Sequence, residues 1–238
     1  MNASTTPVIY LTGATGNLGT AIARSLLRQG ARLVLIERSN DRLPKLFPEL
    51  VGSPDHLLLG GVNLADEASV AATVLAARVH FGRIDGLVNT VGAWRGGGLS
   101  HESPLADWAF LHEANVLPVL LTCRALAPVF LAQKSGRVVN ISSRGGLHGD
   151  AGSAAYAAAK ASVLRITETF SAELCESGIN INAVLPSTID TPQNRAAMPT
   201  VDHTRWVSPD AIADVVSFLL SDAARAIHGA SIPVYGLS

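Results

Sequence analysis

Cysteine is scarce in this chain of 238 residues: Cys123 and Cys175 are the only two, and neither belongs to a close pair or a Cys/His cluster. A zinc site needs such spacing, so two buried free thiols are expected instead. The seven histidines, at positions 56, 80, 101, 112, 148, 203 and 228, form none of the close helical pairs that hold metals, and no metal is expected. Charge is also sparse. Charged residues make up 16% of the chain and the formal net charge is −1, with no long basic run and no aromatic-basic clustering, so nothing attracts a nucleic-acid backbone or an anionic membrane surface. No apolar stretch reads as approaching the roughly 20 residues that span a bilayer. Residues Met1 to Thr6 are polar, without the basic-then-apolar layout of a signal peptide, and a cytoplasmic location is expected.

Apolar residues are abundant, at 48% of the chain, enough to bury a core and too many for disorder. Short β-branched runs alternate with longer stretches of helical periodicity, the pattern of βαβ units wound into a parallel sheet. Strands are expected at Val8 to Leu11, Arg32 to Ile36, His56 to Leu59, Gly86 to Asn89, Arg137 to Ile141, Ile179 to Leu185 and Ser231 to Val234. Helices are expected near Leu18 to Gln29, Ala65 to His80, Asp107 to Gln133, Ala154 to Ser177 and Pro209 to Ser221. The fold class is therefore α/β: one Rossmann-type, doubly wound parallel sheet of about seven strands, helices on both faces, as one domain over residues 1–238. Two irregular segments stand out, the glycine-rich Gly92 to Glu102 and Ser187 to Trp206, the second read as a substrate lid.

TGATGNLG, Thr12 to Gly19, follows directly on the first strand and opens a helical pattern. Glycines at 13, 16 and 19 allow a tight turn, close approach to a pyrophosphate and close packing of helix on strand. Gly13, Thr15, Asn17 and Leu18 are then placed to touch a dinucleotide. The second strand ends at Glu37, 18 positions beyond Gly19, close to where an acidic side chain accepts the ribose hydroxyls of NAD. Arg38 follows at once and could instead receive the 2′-phosphate of NADP. Because Glu37 would repel that phosphate, NAD(H) is the expected cofactor and NADP(H) the alternative.

Tyr156 and Lys160 lie four apart in GSAAYAAAKAS, whose alanines favour helix, so both side chains leave one face a turn apart. A free tyrosine titrates near 10, too high for easy acid/base work at neutral pH, and a neighbouring ammonium is expected to lower it. Ser143 closes the strand GRVVNISS, 13 positions before Tyr156, where a hydroxyl could hold a substrate oxygen; Ser142 is the rival donor. Such groups would polarise a carbonyl while a hydride arrives from a nicotinamide.

These residues resemble the short-chain dehydrogenase/reductase family along nearly the whole chain. The resemblance implies a catalytic set of Asn115, in HEANVLP, with Ser143, Tyr156 and Lys160, the asparagine helping to hold a proton-relay water. It also implies that Lys160 binds the nicotinamide ribose, and that Pro186, Ile189 and Thr191 of PSTIDTP embrace the carboxamide. Asn63 and Leu64 would contact adenine, while Asn89 and Gly92 of NTVG stand where the family shows NNAG. The substrate would be a small carbonyl or alcohol, and the assembly a homo-oligomer, tetramer or dimer, through the long helices at Asp107 to Gln133 and Ala154 to Ser177.

The glycine spacing departs from the family's TGxxxGxG and matches its extended branch, yet only about 50 residues follow Pro186, too few for the substrate domain of a sugar-nucleotide epimerase. VGAWRGGG and LPSTIDTPQNRAAMP are similar to dihydropteridine reductase, a branch that prefers NADH but typically lacks the serine present here. A 3-oxoacyl thioester reductase is a second alternative, and a dinucleotide sensor without chemistry a third. Trp94 and Arg95 after the fourth strand, His148, Met198 and Trp206 are further candidates for shaping the substrate cleft.

Overall fold

Strands this rich in apolar residues have two faces to cover, and both are covered here. The computed structural model describes residues 6–238; residues 1–5, part of the segment expected to lack a signal layout, lie outside the described residues. Seven strands, β1 (Val8–Thr12), β2 (Arg32–Ile36), β3 (His56–Leu59), β4 (Gly86–Asn89), β5 (Gly136–Ile141), β6 (Ile179–Pro186) and β7 (Ser231–Val234), form one sheet. Every neighbouring pair is parallel, in the order β3-β2-β1-β4-β5-β6-β7. The helices are α1 (Asn17–Arg28), α2 (Arg42–Leu46), α3 (Glu67–Phe81), α4 (Leu105–Asn115), α5 (Leu117–Gln133), α6 (Ala154–Leu174), α7 (Pro192–Ala197) and α8 (Pro209–Leu220).

Alternation along each strand divides the core in two. Ile9, Leu11, Leu33, Leu35, Val88 and Val139 pack on one face against α1 and α8 residues such as Ile22, Leu26, Ile212 and Val216. Val8, Tyr10, Val34, Ile36, Leu87 and Val138 pack on the other against Val70 and Val74 of α3, Leu126 and Phe130 of α5 and Val163 of α6. The sheet reads outward in both directions from β1 and β4, so the crevice at their carboxyl ends is the place where such a fold accepts a ligand.

Three expectations need correction. The single helix expected over Asp107 to Gln133 is two, because Pro118 lacks the N–H that would continue the ladder and its ring disfavours helical backbone before it. The helix expected to reach Ser177 ends at Leu174 and tightens into a 3-10 turn over Cys175–Ser177. The expectation that no apolar stretch approaches membrane-spanning length also fails: Leu105–Gln133, α4 and α5 together, is long and apolar enough, although over half of its most apolar window is buried in the fold. Two short helices, α2 and α7, were not expected.

Candidate active site

The turn after β1 is built around glycine. Gly13 has φ 64°, and a Cβ there would meet the Thr90 hydroxyl at 2.8 Å. At Gly19 a Cβ would lie 2.1 Å from the Gly13 carbonyl oxygen, so α1 seats on the turn only with glycine. Gly16 differs: a Cβ there would meet nothing closer than 3.4 Å, and Gly16 is the N-cap of α1 with no side-chain cap bond. The protein itself leaves that space open. The free N–H groups of the first turn and the positive end of the helix dipole suit a phosphate, so these residues fit a dinucleotide. Leu18 is buried in the core and could offer only its backbone, whereas Asn17 reaches across the crevice to donate from Nδ2 to Gln193 Oε1 of α7 at 2.7 Å.

Glu37, 9% exposed, follows directly on β2 with its carboxylate largely engaged. The Thr15 hydroxyl donates to Oε2, while the N–H groups of Arg38 and Ser39 donate to Oε1 at 2.9 and 3.3 Å. Arg42 of α2 stands 4.0 Å from Oε1 and donates from Nη2 to the Thr15 carbonyl at 3.1 Å. Arg42 was missed in the sequence, since five helical residues carry too little periodicity to be read. Arg38 points its side chain to solvent. The Asn63–Leu64 pair divides: exposed Asn63 accepts the Ala65 N–H at 3.1 Å, and the Leu64 side chain is core.

At the same carboxyl edge, β5 and α6 bring the second set together. Ser143 lies within hydrogen-bonding reach of the Tyr156 phenol, and its Oγ accepts the Gly145 N–H at 3.2 Å. Lys160 donates from Nζ to the Ile141 carbonyl at 3.1 Å and stands 6.0 Å from the Tyr156 ring centroid. Ser142, the rival donor, is turned away: its hydroxyl donates to the main-chain carbonyl of Lys160 at 2.9 Å. A Cβ on Gly92 would sit 2.7 Å from Asn115 Oδ1 and 3.0 Å from Lys160 Nζ, which places the end of α4 beside the lysine. The Asn115 side chain is already engaged, accepting the Ala93 N–H at 3.2 Å and donating to the Ala93 and Leu111 carbonyls at 3.0 and 2.9 Å. Asn89 is likewise spent inside the sheet, donating to Asn140 Oδ1 at 3.0 Å and accepting from Thr12 and Thr122.

Burial governs both titrating groups. It pushes the Tyr156 phenol above its ordinary value, with the Ser143 hydrogen bond opposing, and pulls Lys160 down to about 8. The lowering of Tyr156 expected from its lysine neighbour is therefore not what this geometry gives; at 6.0 Å, with its ammonium on the Ile141 carbonyl, Lys160 does not outweigh desolvation.

The segment after β6 closes one side. Pro186 ends the strand, Ile189 pairs with Val207 in a parallel bridge, and Thr191 caps α7 by accepting the Asn194 N–H at 3.2 Å. Trp206 packs on His203 with ring centroids 4.4 Å apart, whereas Met198 and His148 are exposed. Across from it, Trp94 is 63% exposed while Arg95 turns toward α4, its guanidinium 3.5 Å from the Phe110 ring centroid and 2.9 Å from Asp107.

One end of this edge is fit to hold phosphates and the other to move a proton at an oxygen, the chemistry of a dinucleotide-dependent oxidoreductase. Comparison with known proteins agrees. Residues 7–202 match the short chain dehydrogenase family. The chain is 33% identical to the 3-oxoacyl-[acyl-carrier-protein] reductase of Synechocystis sp. over 243 aligned residues, covering 99% of this chain and 98% of that protein. The crystal structure of levodione reductase superposes with a TM-score of 0.88 at 32% identity, covering 97% of this chain and 96% of that one. An NAD+-bound xylitol dehydrogenase gives 0.87 at 25% identity, covering 97% and 98%. The chain belongs to the short-chain dehydrogenase family and is an NAD(P)-dependent oxidoreductase.

Proposed function

We propose that Ser143, Tyr156, Lys160 and Asn115 are the working groups of this oxidoreductase and that its substrate is a small carbonyl compound or the corresponding alcohol. The convergence of Ser143, Tyr156 and Lys160 beside Gly92 and Asn115 carries the reading. When bound, the nicotinamide supplies or takes up the hydride. Tyr156 gives its phenolic proton to the substrate oxygen in reduction and takes it back in oxidation, and Ser143 holds that oxygen. Lys160 has no carboxylate partner among the described residues, so its ammonium is available to the phenolate and to the ribose hydroxyls. Since the Asn115 amide is occupied, any water it holds is taken by its main-chain carbonyl.

At the dinucleotide end, Gly13, Thr15 and Asn17 line the turn and the backbone of Leu18, Asn63 and Leu64 serves the adenosine half. Pro186, Ile189 and Thr191 begin a lid, residues 187–206, over the nicotinamide half. NAD(H) is the preferred cofactor, because an anionic carboxylate at Glu37 repels a 2′-phosphate. A 3-oxoacyl thioester is the second substrate reading, favoured by the Synechocystis relative. The assembly is a homo-oligomer, and a cytoplasmic location accords with two cysteines that remain free.

Nicotinamide fluorescence titrations with NADH and NADPH test the cofactor, using the wild type, Glu37→Ala and Arg38→Ala. Tighter NADH binding that weakens in Glu37→Ala is expected. Tighter NADPH binding, lost in Arg38→Ala, would reverse the preference, and binding of neither would end the assignment.

A further inference from the structure

We infer that Ser142 is a positioning residue for Lys160: with the neighbouring Ile141 carbonyl it forms a two-point clasp that fixes the ammonium at the end of β5. The inference rests on the proposed role of Lys160. The two bonds run in opposite directions between Lys160 and two adjacent residues at the end of β5. Lys160 Nζ donates to the Ile141 carbonyl at 3.1 Å, and the Ser142 hydroxyl donates to the carbonyl of Lys160 itself at 2.9 Å. Ser142 is held in turn, its own N–H donating to the Val184 carbonyl of β6 at 2.9 Å. Both residues are nearly inaccessible, at 3% and 5% exposure.

Gly146 seals the clasp from above. A Cβ there would lie 2.8 Å from Ser142 Oγ and 3.0 Å from the Lys160 carbonyl, so the loop after β5 lies directly on both groups. A second stitch follows two helical turns on, where Asn140 Nδ2 donates to Thr167 Oγ1 at 2.9 Å. Asn140 and Ser142 leave the chain on the same side, as strand alternation requires, and meet α6 on the face that carries Lys160. A lysine on a flexible four-carbon stem has no preferred height above a sheet. The Ser142 bond sets that height through the backbone, while the Ile141 bond sets the direction of the stem.

The test reads Lys160 without any substrate. The chain has three lysines, of which Lys45 and Lys134 are exposed, so a 13C-lysine-labelled protein gives one buried signal to titrate by NMR. In the wild type that signal is expected to titrate near 8. In Ser142→Ala it is expected to rise by about half a unit or more as water reaches the ammonium. The alkaline limb of turnover should move with it, kcat falling about tenfold at unchanged substrate KM. Gly146→Ala, which crowds the clasp without deleting a hydrogen-bonding group, should do the same and serves if Ser142→Ala does not fold. An unmoved Lys160 titration and pH profile, whatever happens to the melting temperature, would overturn the inference. A wild type that turns over no carbonyl would instead count against the proposed function, and the NMR result would still decide the clasp.

Discussion

At the scale of single residues, the site depends on two groups that burial displaces in opposite directions. Tyr156 is held up and so keeps its proton at neutral pH, which suits the proposed role of delivering one to the oxygen of a carbonyl undergoing reduction. Tyr156→Phe should cost roughly 10²- to 10⁴-fold in turnover while leaving NADH binding by fluorescence intact. Unchanged turnover would return the protein to a dinucleotide sensor. Lys160 carries the opposite consequence. Its folded pKa falls from 10.5 to about 8, so between those values the unfolded chain binds more protons and stability rises with pH. At pH 7 both states are protonated and the whole penalty, about 3 kcal/mol at about 1.4 kcal/mol per unit, is present. Lys160→Met should therefore melt at or above the wild-type temperature at pH 7 while losing activity, the lost Ile141 bond offsetting part of the gain. A clearly lower melting temperature would show that the buried ammonium contributes more than it costs. Wild-type turnover should decline above about 8 as Lys160 loses its charge.

At the scale of elements, the three glycines of the first turn have different duties. Gly19→Ala drives a Cβ into the Gly13 carbonyl and should cost about 1–3 kcal/mol in thermal unfolding. Gly16→Ala has room and an ordinary φ of −72°, so stability should change by only about 0.5 kcal/mol. Its dinucleotide affinity should nevertheless drop, because the added methyl stands where backbone meets phosphate. Equal losses of stability in the two variants would refute that division. The glycine spacing was legible in the sequence, as were all seven strands to within a residue at either end, because strands covered on both faces carry unmistakable apolar runs. Helices of five and six residues, α2 and α7, were not legible, and with them went Arg42 and Gln193. The α4–α5 break was hidden for another reason: Pro118 stands at the start of a helix, where proline is tolerated, inside a run that stays apolar throughout. The Tyr156–Lys160 spacing could be read, since both lie on one helix. Which of Ser142 and Ser143 faces the tyrosine could not, because that depends on how α6 packs across the end of β5.

At the scale of the molecule, the sheet order puts the glycine turn after β1 and the loop after β4 side by side, so that two loops far apart in sequence share one crevice. Of the helices beside the proposed proton-moving groups, α4 also carries exposed apolar side chains. Leu105 is 83% exposed and Trp108 37%, three residues apart at the start of the run whose length and composition resemble a membrane span. A surface of this kind on a helix whose other side is core is suited to a second copy of the chain. Leu105→Asp combined with Trp108→Asp should convert the proposed homo-oligomer to monomers in light scattering, with NADH affinity retained, since neither residue approaches the glycine turn. A wild type that is already monomeric at micromolar concentration would dismiss the assembly outright. A charged double variant that stays oligomeric would move the contact to another face. If the monomer forms but turnover falls, the burial of α4 in the assembly is what keeps Asn115 and Gly92 in register with Lys160.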